Sequence, residues 1–302
     1  MNLSFDELKE LSSVSGGRYK TDNYEDAVLF CNQFATSHYE NFPVASHFLP
    51  RPKRRHIVAV YTFARVADDI ADENLDIPDT ERLALLQEYS ENYHKENTTN
   101  PIFLALAKTI KEFNIPYMPF DKLLQAFARD INFTQAQTIA DLYDYCTYSA
   151  NPIGELVLRI FGIYTPESAE LSDSVCTALQ LTNFWQDFSR DIDKKRIFIP
   201  VDFLQKYHLT NDDIFNKNIS PKLGECINEL INITNNEFIK GKNLARLIPQ
   251  FGLRTEIRAS ILGGQSILQK CRDLGENLLN FRPKLEKSDI FTIFVKSIMG
   301  KI

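Results

Sequence analysis

Two short acidic clusters, Asp68-Asp69-Ile70-Ala71-Asp72 and Asp187-Phe188-Ser189-Arg190-Asp191, each hold carboxylates four residues apart. On a helix, positions i and i+4 share a face with side-chain origins about 6 Å apart, so Asp68 with Asp72, and Asp187 with Asp191, can converge on one ion. Asn183 adds a third oxygen ligand one turn before Asp187. Mg2+ takes such hard oxygen donors and completes its shell with oxygens of a bound phosphate. The chemistry on offer is therefore the gripping of a diphosphate, provided the fold brings the two helices face to face. A solvated helix end beside the acidic turn Glu73 to Asp79 explains the first cluster well when taken alone. An amphipathic surface helix is the plain alternative for the second. Its polar face, Gln180, Asn183, Asp187 and Asp191, is made of amides and carboxylates rather than a Lys/Glu mixture, which predicts an inward polar stripe opposite Leu181, Trp185, Phe188 and Ile192.

The elements that carry these residues read as helices. Long runs without Gly or Pro are punctuated by prolines at 50, 52, 78, 101, 116, 119, 166, 200, 221, 249 and 283, and no alternating runs joined by Asn-Gly or Asp-Gly turns suggest a sheet. The fold class expected is all-α, in a single domain over residues 1–302, since no linker, repeat or low-complexity run divides the chain. Ile57, Val60, Tyr61 and Ala64 form a stripe at helical spacing within Arg54 to Glu73, and Asp68 and Asp72 continue it. A second helix is expected over about Asp173 to Asp193. Between them, Pro152 removes a backbone donor and pushes Asn151 out of the helical region, so a helix through Tyr145 to Gly154 must kink. Small residues flanked by Tyr145 and Tyr148 at that bend suit the wall of a pocket, or a simple helix boundary.

Composition narrows the partners. A net charge of −6 argues against nucleic acid, which selects surplus Lys and Arg, and a phosphate site in so acidic a chain calls for metal. Aromatic residues make up 12% of the chain, enough to line an apolar cavity as well as a core. Five widely spaced cysteines with no CxxC pair indicate a reducing compartment. The N-terminus lacks the basic-then-apolar order of a secretory signal, so the expected location is the cytoplasm. The apolar tail Ile290 to Ile302 is broken by Lys296 and Lys301 and is too short to span a bilayer. Any contact with the inner membrane is expected to be transient and peripheral, since no strongly basic amphipathic helix announces it.

Four stretches taken together resemble the squalene/phytoene synthase family in order and spacing: Asn41-Phe42-Pro43-Val44-Ala45-Ser46-His47-Phe48-Leu49-Pro50, Tyr61 to Asp69, Tyr145 to Gly154, and Gln180 to Asp191. Asn-Phe-Pro-Val-Ala-Ser, Ser-Ala-Asn-Pro-Ile-Gly and Asn-Phe-Trp-Gln-Asp look like the hydroxysqualene synthase branch of bacterial hopanoid pathways. The resemblance implies an isoprenoid-synthase helical bundle around a central cavity, acting on prenyl diphosphates. It implies that Asp68, Asp72, Asn183, Asp187 and Asp191 hold Mg2+. Tyr61, Arg65 and Gln180 match positions that touch the diphosphate, His38 and Asn41 fall in the segment that approaches it, and Tyr145 matches the tyrosine near the reacting carbons.

The implied reaction ionises presqualene diphosphate, releases diphosphate and quenches the cation with water to give hydroxysqualene. Alternatives are head-to-head condensation of two prenyl diphosphates, as a squalene or phytoene synthase performs, a terpene cyclase, whose metal spacings are similar, and a non-catalytic helical assembly factor. Two departures bear on the choice. Glu40, Asn41 and Gln186 stand where many two-substrate members carry basic or hydroxyl groups, predicting less cationic help for a second diphosphate. Asn151 stands where relatives often have glycine, predicting an amide that positions water. Phe42, Phe63, Phe127, Phe133, Tyr148 and Phe184 join Tyr145 as candidates for the cavity's aromatic faces.

Overall fold

The computed structural model describes residues 3–37, 49–71, 77–95 and 97–300. All regular structure among them is helical, as the sequence predicts. In chain order the helices are α1 Phe5–Ser12, α2 Tyr24–Ser37, α3 Arg51–Ala71, α4 Asp79–Asn92, α5 Pro101–Phe113, α6 Met118–Ile131, α7 Ile139–Ser149, α8 Asn151–Phe161, α9 Pro166–Gln186, α10 Phe188–Asp193, α11 Val201–Lys206, α12 Asn211–Phe215, α13 Pro221–Gly241, α14 Leu244–Leu247, α15 Phe251–Leu274 and α16 Lys287–Met299. Many starts are written locally. Asn100, Thr165 and Ser220 cap α5, α9 and α13 by accepting from backbone N–H groups, each just before a proline that needs no N–H partner.

The chain divides into two compact units, Met1–Phe133 with Glu155–Tyr164, and Thr134–Gly154 with Thr165–Ile302. In the first, α3 packs on α2, α5 and α6. Phe63 is fully buried there among Tyr89, Tyr93 and Phe120, ring centroids 5.0–5.6 Å apart, and the Tyr89 hydroxyl donates to the Phe63 carbonyl at 3.1 Å. Phe63 is therefore core, and its candidacy as a cavity face falls because the apolar neighbours of its own unit enclose it. The C-terminal end of α3 is fixed by Arg82 of α4, whose buried guanidinium donates to the Ala71 carbonyl. A cation at a helix C-terminus satisfies an orphan carbonyl and suits the dipole.

In the second unit α9 is central, packed against α7, α13 and α15. The predicted apolar pattern is met across two helices: Leu181 and Trp185 of α9 and Phe188 and Ile192 of α10 are buried, and Trp185 Nε1 donates to Thr234 Oγ1 of α13 at 2.9 Å. The helix breaks near Pro152, but at Ala150 between α7 and α8; Asn151, expected outside the helix, instead begins α8, because Pro152 falls in the first turn, where no N–H partner is needed. Gly154 explains itself here. A Cβ at that position would lie 2.3 Å from Ser172 Oγ and 2.7 Å from Cys176 Sγ, so α8 approaches α9 only because no side chain intervenes. Gly154→Ala is expected to cost about 1–3 kcal/mol of stability, read as a lower denaturant midpoint with an unchanged slope.

Candidate active site

On α3, Tyr61 and Ala64 are half-buried and Asp68 is exposed, its side chain 51% accessible, so the helix stripe leaves the core as it nears the acidic cluster. Arg65 sits one turn earlier and bridges two carboxylates, 2.7 Å to Asp69 and 3.4 Å to Asp68. Burial works to lower the Arg65 pKa, but the Asp69 and Asp68 charges outweigh it and the net shift is upward, so the guanidinium stays cationic. Asp69 itself lies on the buried side. The sequence reading gave it no role, although its i+4 relation to Arg65 was visible. His38, Asn41 and Asp72, with Phe42, lie outside the described residues.

The second cluster does not sit on one uninterrupted helix. The helix expected over Asp173 to Asp193 begins earlier, at Pro166, and breaks at Asp187 between α9 and α10. The four-residue register nevertheless survives. The Asp187 N–H donates to the Asn183 carbonyl at 2.8 Å, and the Asp187 carbonyl accepts from Asp191 at 3.0 Å and from Arg190 at 2.8 Å. Asn183 is exposed, while Gln180, Asp187 and Asp191 are half-buried. The polar stripe is accessible from outside its own unit, with the opposite face of α9 supplying that unit's core.

A residue absent from the sequence reading meets Asp187. Arg282, between α15 and α16 and 95 residues further on, places Nε against Asp187 Oδ1 and Nη2 3.3 Å from Oδ2. The segment that delivers it is pinned by Gln186, whose Nε2 donates to the Pro283 carbonyl at 2.9 Å. The amide at 186 thus secures a loop that carries a guanidinium to the next residue. A fork-on-carboxylate contact fixes the Asp187 rotamer. It also leaves lone pairs for a further ligand, since a carboxylate offers about four acceptor sites.

Along α9 the remaining candidates fall in order. Tyr145 packs its ring on Phe184, centroids 5.7 Å apart, and Phe184 stacks on Phe198 at 3.9 Å. Seven residues back towards the start of α9, buried Thr177 donates to Asn151 Oδ1 at 3.1 Å. At 1.5 Å rise per residue, this places the Asn151 contact about 10 Å along α9 from the Tyr145 contact. The order from the acidic end is carboxylates, aromatic rings, amide. Phe127, Phe133 and Tyr148 are half-buried.

Each cluster by itself offers hard oxygens of the kind Mg2+ takes: Asp68 is accessible in the first unit, and Asp187 in the second is oriented by a charged partner. Among the described residues, no group of three or more His, Cys, Asp or Glu side chains converges by itself.

Comparison with known proteins decides the family. The sequence pattern described as Squalene/phytoene synthase matches residues 35–289. The chain belongs to the squalene/phytoene synthase family. Members of this family bind prenyl diphosphates and typically use Mg2+. Within it, the chain is similar to a hydroxysqualene synthase of Zymomonas mobilis, 36% identical over 195 residues, which span 62% of this chain and 64% of that protein, just under two thirds. A hydroxysqualene synthase of Rhodopseudomonas palustris is 30% identical over 82% of both chains. A presqualene diphosphate synthase of the same species is 31% identical over 57% of this chain and 62% of its own. The crystal structure of squalene synthase HpnC from Alicyclobacillus acidocaldarius superposes with a TM-score of 0.78 at 37% identity, covering 87% of this chain and 98% of that one. This squalene/phytoene synthase family member therefore has the isoprenoid-synthase fold.

Proposed function

We propose that the chain converts presqualene diphosphate to hydroxysqualene. The carbon–oxygen bond to the diphosphate breaks with the electron pair leaving on oxygen, the cyclopropane opens, and water adds to the resulting cation and loses a proton. Mg2+ held by Asp68, Asp72, Asn183, Asp187 and Asp191 would supply positive charge where negative charge develops on the leaving group. Arg65, Tyr61 and Gln180, with His38 and Asn41, hold the diphosphate. Arg282 keeps the Asp187 carboxylate in one orientation. The Tyr145 ring, backed by Phe184, presents a π face to the cation, worth about 0.5–2 kcal/mol.

The observation that carries the water-quenched reading is the order along α9. An amide held by Thr177 stands about two turns from the tyrosine and farther still from the Asp187 carboxylate, an order that supports water capture away from the departing diphosphate. Asn151→Gly is expected to lower the yield of alcohol relative to hydrocarbon products, and Thr177→Val, which removes the hydroxyl that orients the amide, to do so more weakly. Gas chromatography of single-turnover products reads both, and an unchanged product mixture removes Asn151 from the reaction.

Head-to-head condensation of two prenyl diphosphates is the second reading, favoured by the similarity to a presqualene diphosphate synthase. Farnesyl diphosphate supplied alone separates the two. The proposed reaction leaves it unconsumed, whereas a condensing enzyme releases diphosphate from it.

A further inference from the structure

The C-terminal helix has an apolar face that its own unit does not bury. α16 lies antiparallel on α15: Lys270 pairs with Asp289 at 3.1 Å near one end, and Arg258 Nη1 donates to the Ser297 carbonyl at 3.4 Å near the other. Asp289, Ile293 and Ser297, four residues apart, form the packed side. The outer side carries Ile290 at 56% exposure, Phe291 at 68%, Ile298 at 38% and Met299 at 61%. Phe281, just before the helix, is 60% exposed. Such a concentration of large apolar side chains on one short helix exceeds the scattered exposure ordinary at protein surfaces.

The charges around it choose the occupant. Lys287 and Lys296 are exposed on α16, and Lys284 is exposed just before it. The stretch from Phe281 to Ile302 holds five basic residues and two acidic ones in a chain whose net charge is −6. A second copy docked through the same face would set these lysines against one another, whereas an anionic lipid surface would pair with them. Lysines flanking an apolar stripe of phenylalanine and isoleucine are the arrangement of a helix that lies in the plane of a bilayer interface, its apolar side among the acyl chains and its ammonium groups at the headgroups. No described helix is long and apolar enough to cross a membrane, so α16 would lie on the bilayer rather than span it. The sequence pattern hid this face because Asp289 and Glu286 interrupt the basic run, and the structure shows Asp289 paired with Lys270.

We infer that α16 docks this enzyme on anionic bilayers through Ile290, Phe291, Ile298 and Met299, with Lys284, Lys287 and Lys296 at the headgroups. A surface of this kind lets a hydrocarbon substrate pass from lipid to protein without crossing water, and to that extent the purpose rests on the proposed function. The binding itself does not, because it is measured without substrate.

The test is flotation of the full chain with phosphatidylcholine vesicles, with and without phosphatidylglycerol. The wild-type protein is expected to float with the anionic vesicles and to be released by salt. Phe291→Ser with Ile298→Ser should lower the bound fraction about tenfold or more. Lys284→Gln, Lys287→Gln and Lys296→Gln together should lower it about tenfold on anionic vesicles only. Should the apolar variant melt early, the lysine variant decides alone. Absence of flotation, flotation indifferent to the substitutions, or a dimer in light scattering that the same substitutions dissociate without any vesicle binding would overturn the inference. Diphosphate release that persists in detergent while flotation fails would leave the proposed reaction standing, and the reverse result would leave the docking surface standing.

Discussion

Asp187→Ala is expected to reduce Mg2+-dependent diphosphate release by at least about 10³-fold, since it removes charge stabilisation at the leaving group. Asp187 is singled out over its neighbours by its position. It occupies the junction of α9 and α10, its carbonyl receives the N–H groups of both Arg190 and Asp191, and its carboxylate is the one gripped by Arg282. Loss of the side chain therefore removes one proposed metal ligand and leaves a guanidinium, itself only 17% accessible, without its partner. The folded state should persist because the backbone bonds across the junction do not involve the carboxylate. Release of inorganic diphosphate, followed with a coupled pyrophosphatase assay across a Mg2+ titration, reads the effect. Asp187→Asn should recover little, because a neutral amide neither attracts the cation nor accepts a charge-assisted fork. Activity within tenfold of wild type would remove Asp187 from the leaving-group site.

Arg282→Met is the second large effect. The thioether keeps the apolar bulk of the stem and deletes the fork, so the Asp187 carboxylate loses its fixed orientation while the loop stays pinned by Gln186 to the Pro283 carbonyl. Removal of a group that orients a metal-binding carboxylate typically costs about 10–100-fold in metal affinity or activity. The expected signature is a higher Mg2+ requirement, with the loss partly recovered at saturating metal. Arg282→Lys should behave like the methionine variant, since an ammonium is a point charge and cannot reproduce two parallel N–H donors. An unchanged Mg2+ dependence would reduce Arg282 to a surface ion pair worth little.

Much of the fold was legible because its signals are local. The all-helical class followed from proline punctuation and helical periodicity, and the caps Asn100, Thr165 and Ser220 sit where residue type alone would place them. A helix boundary near Pro152 was likewise a property of one residue's ring, although the break lies at Ala150 and not at Asn151. The break at Asp187 was not legible, because no glycine or proline marks it and the register of Asn183, Asp187 and Asp191 runs through it unchanged. Arg282 was invisible for a different reason: its contact spans 95 residues and depends on Gln186 holding a distant loop. Phe63 and Tyr145 illustrate the limit of composition, since both are aromatic residues in resembling motifs. One is enclosed by three rings of its own core, whereas the other is half-buried against Phe184. Asp69 shows the same limit for charge. Its type matched the metal cluster, but its phase on α3 turned it inward to Arg65.

The most direct measurement is product analysis after incubation with presqualene diphosphate and Mg2+ in ¹⁸O-enriched water, with no nicotinamide cofactor present. Hydroxysqualene carrying one ¹⁸O atom, formed together with inorganic diphosphate and abolished by chelation of the metal, is the predicted result. Intact presqualene diphosphate, or a hydrocarbon product with no oxygen from solvent, would contradict it.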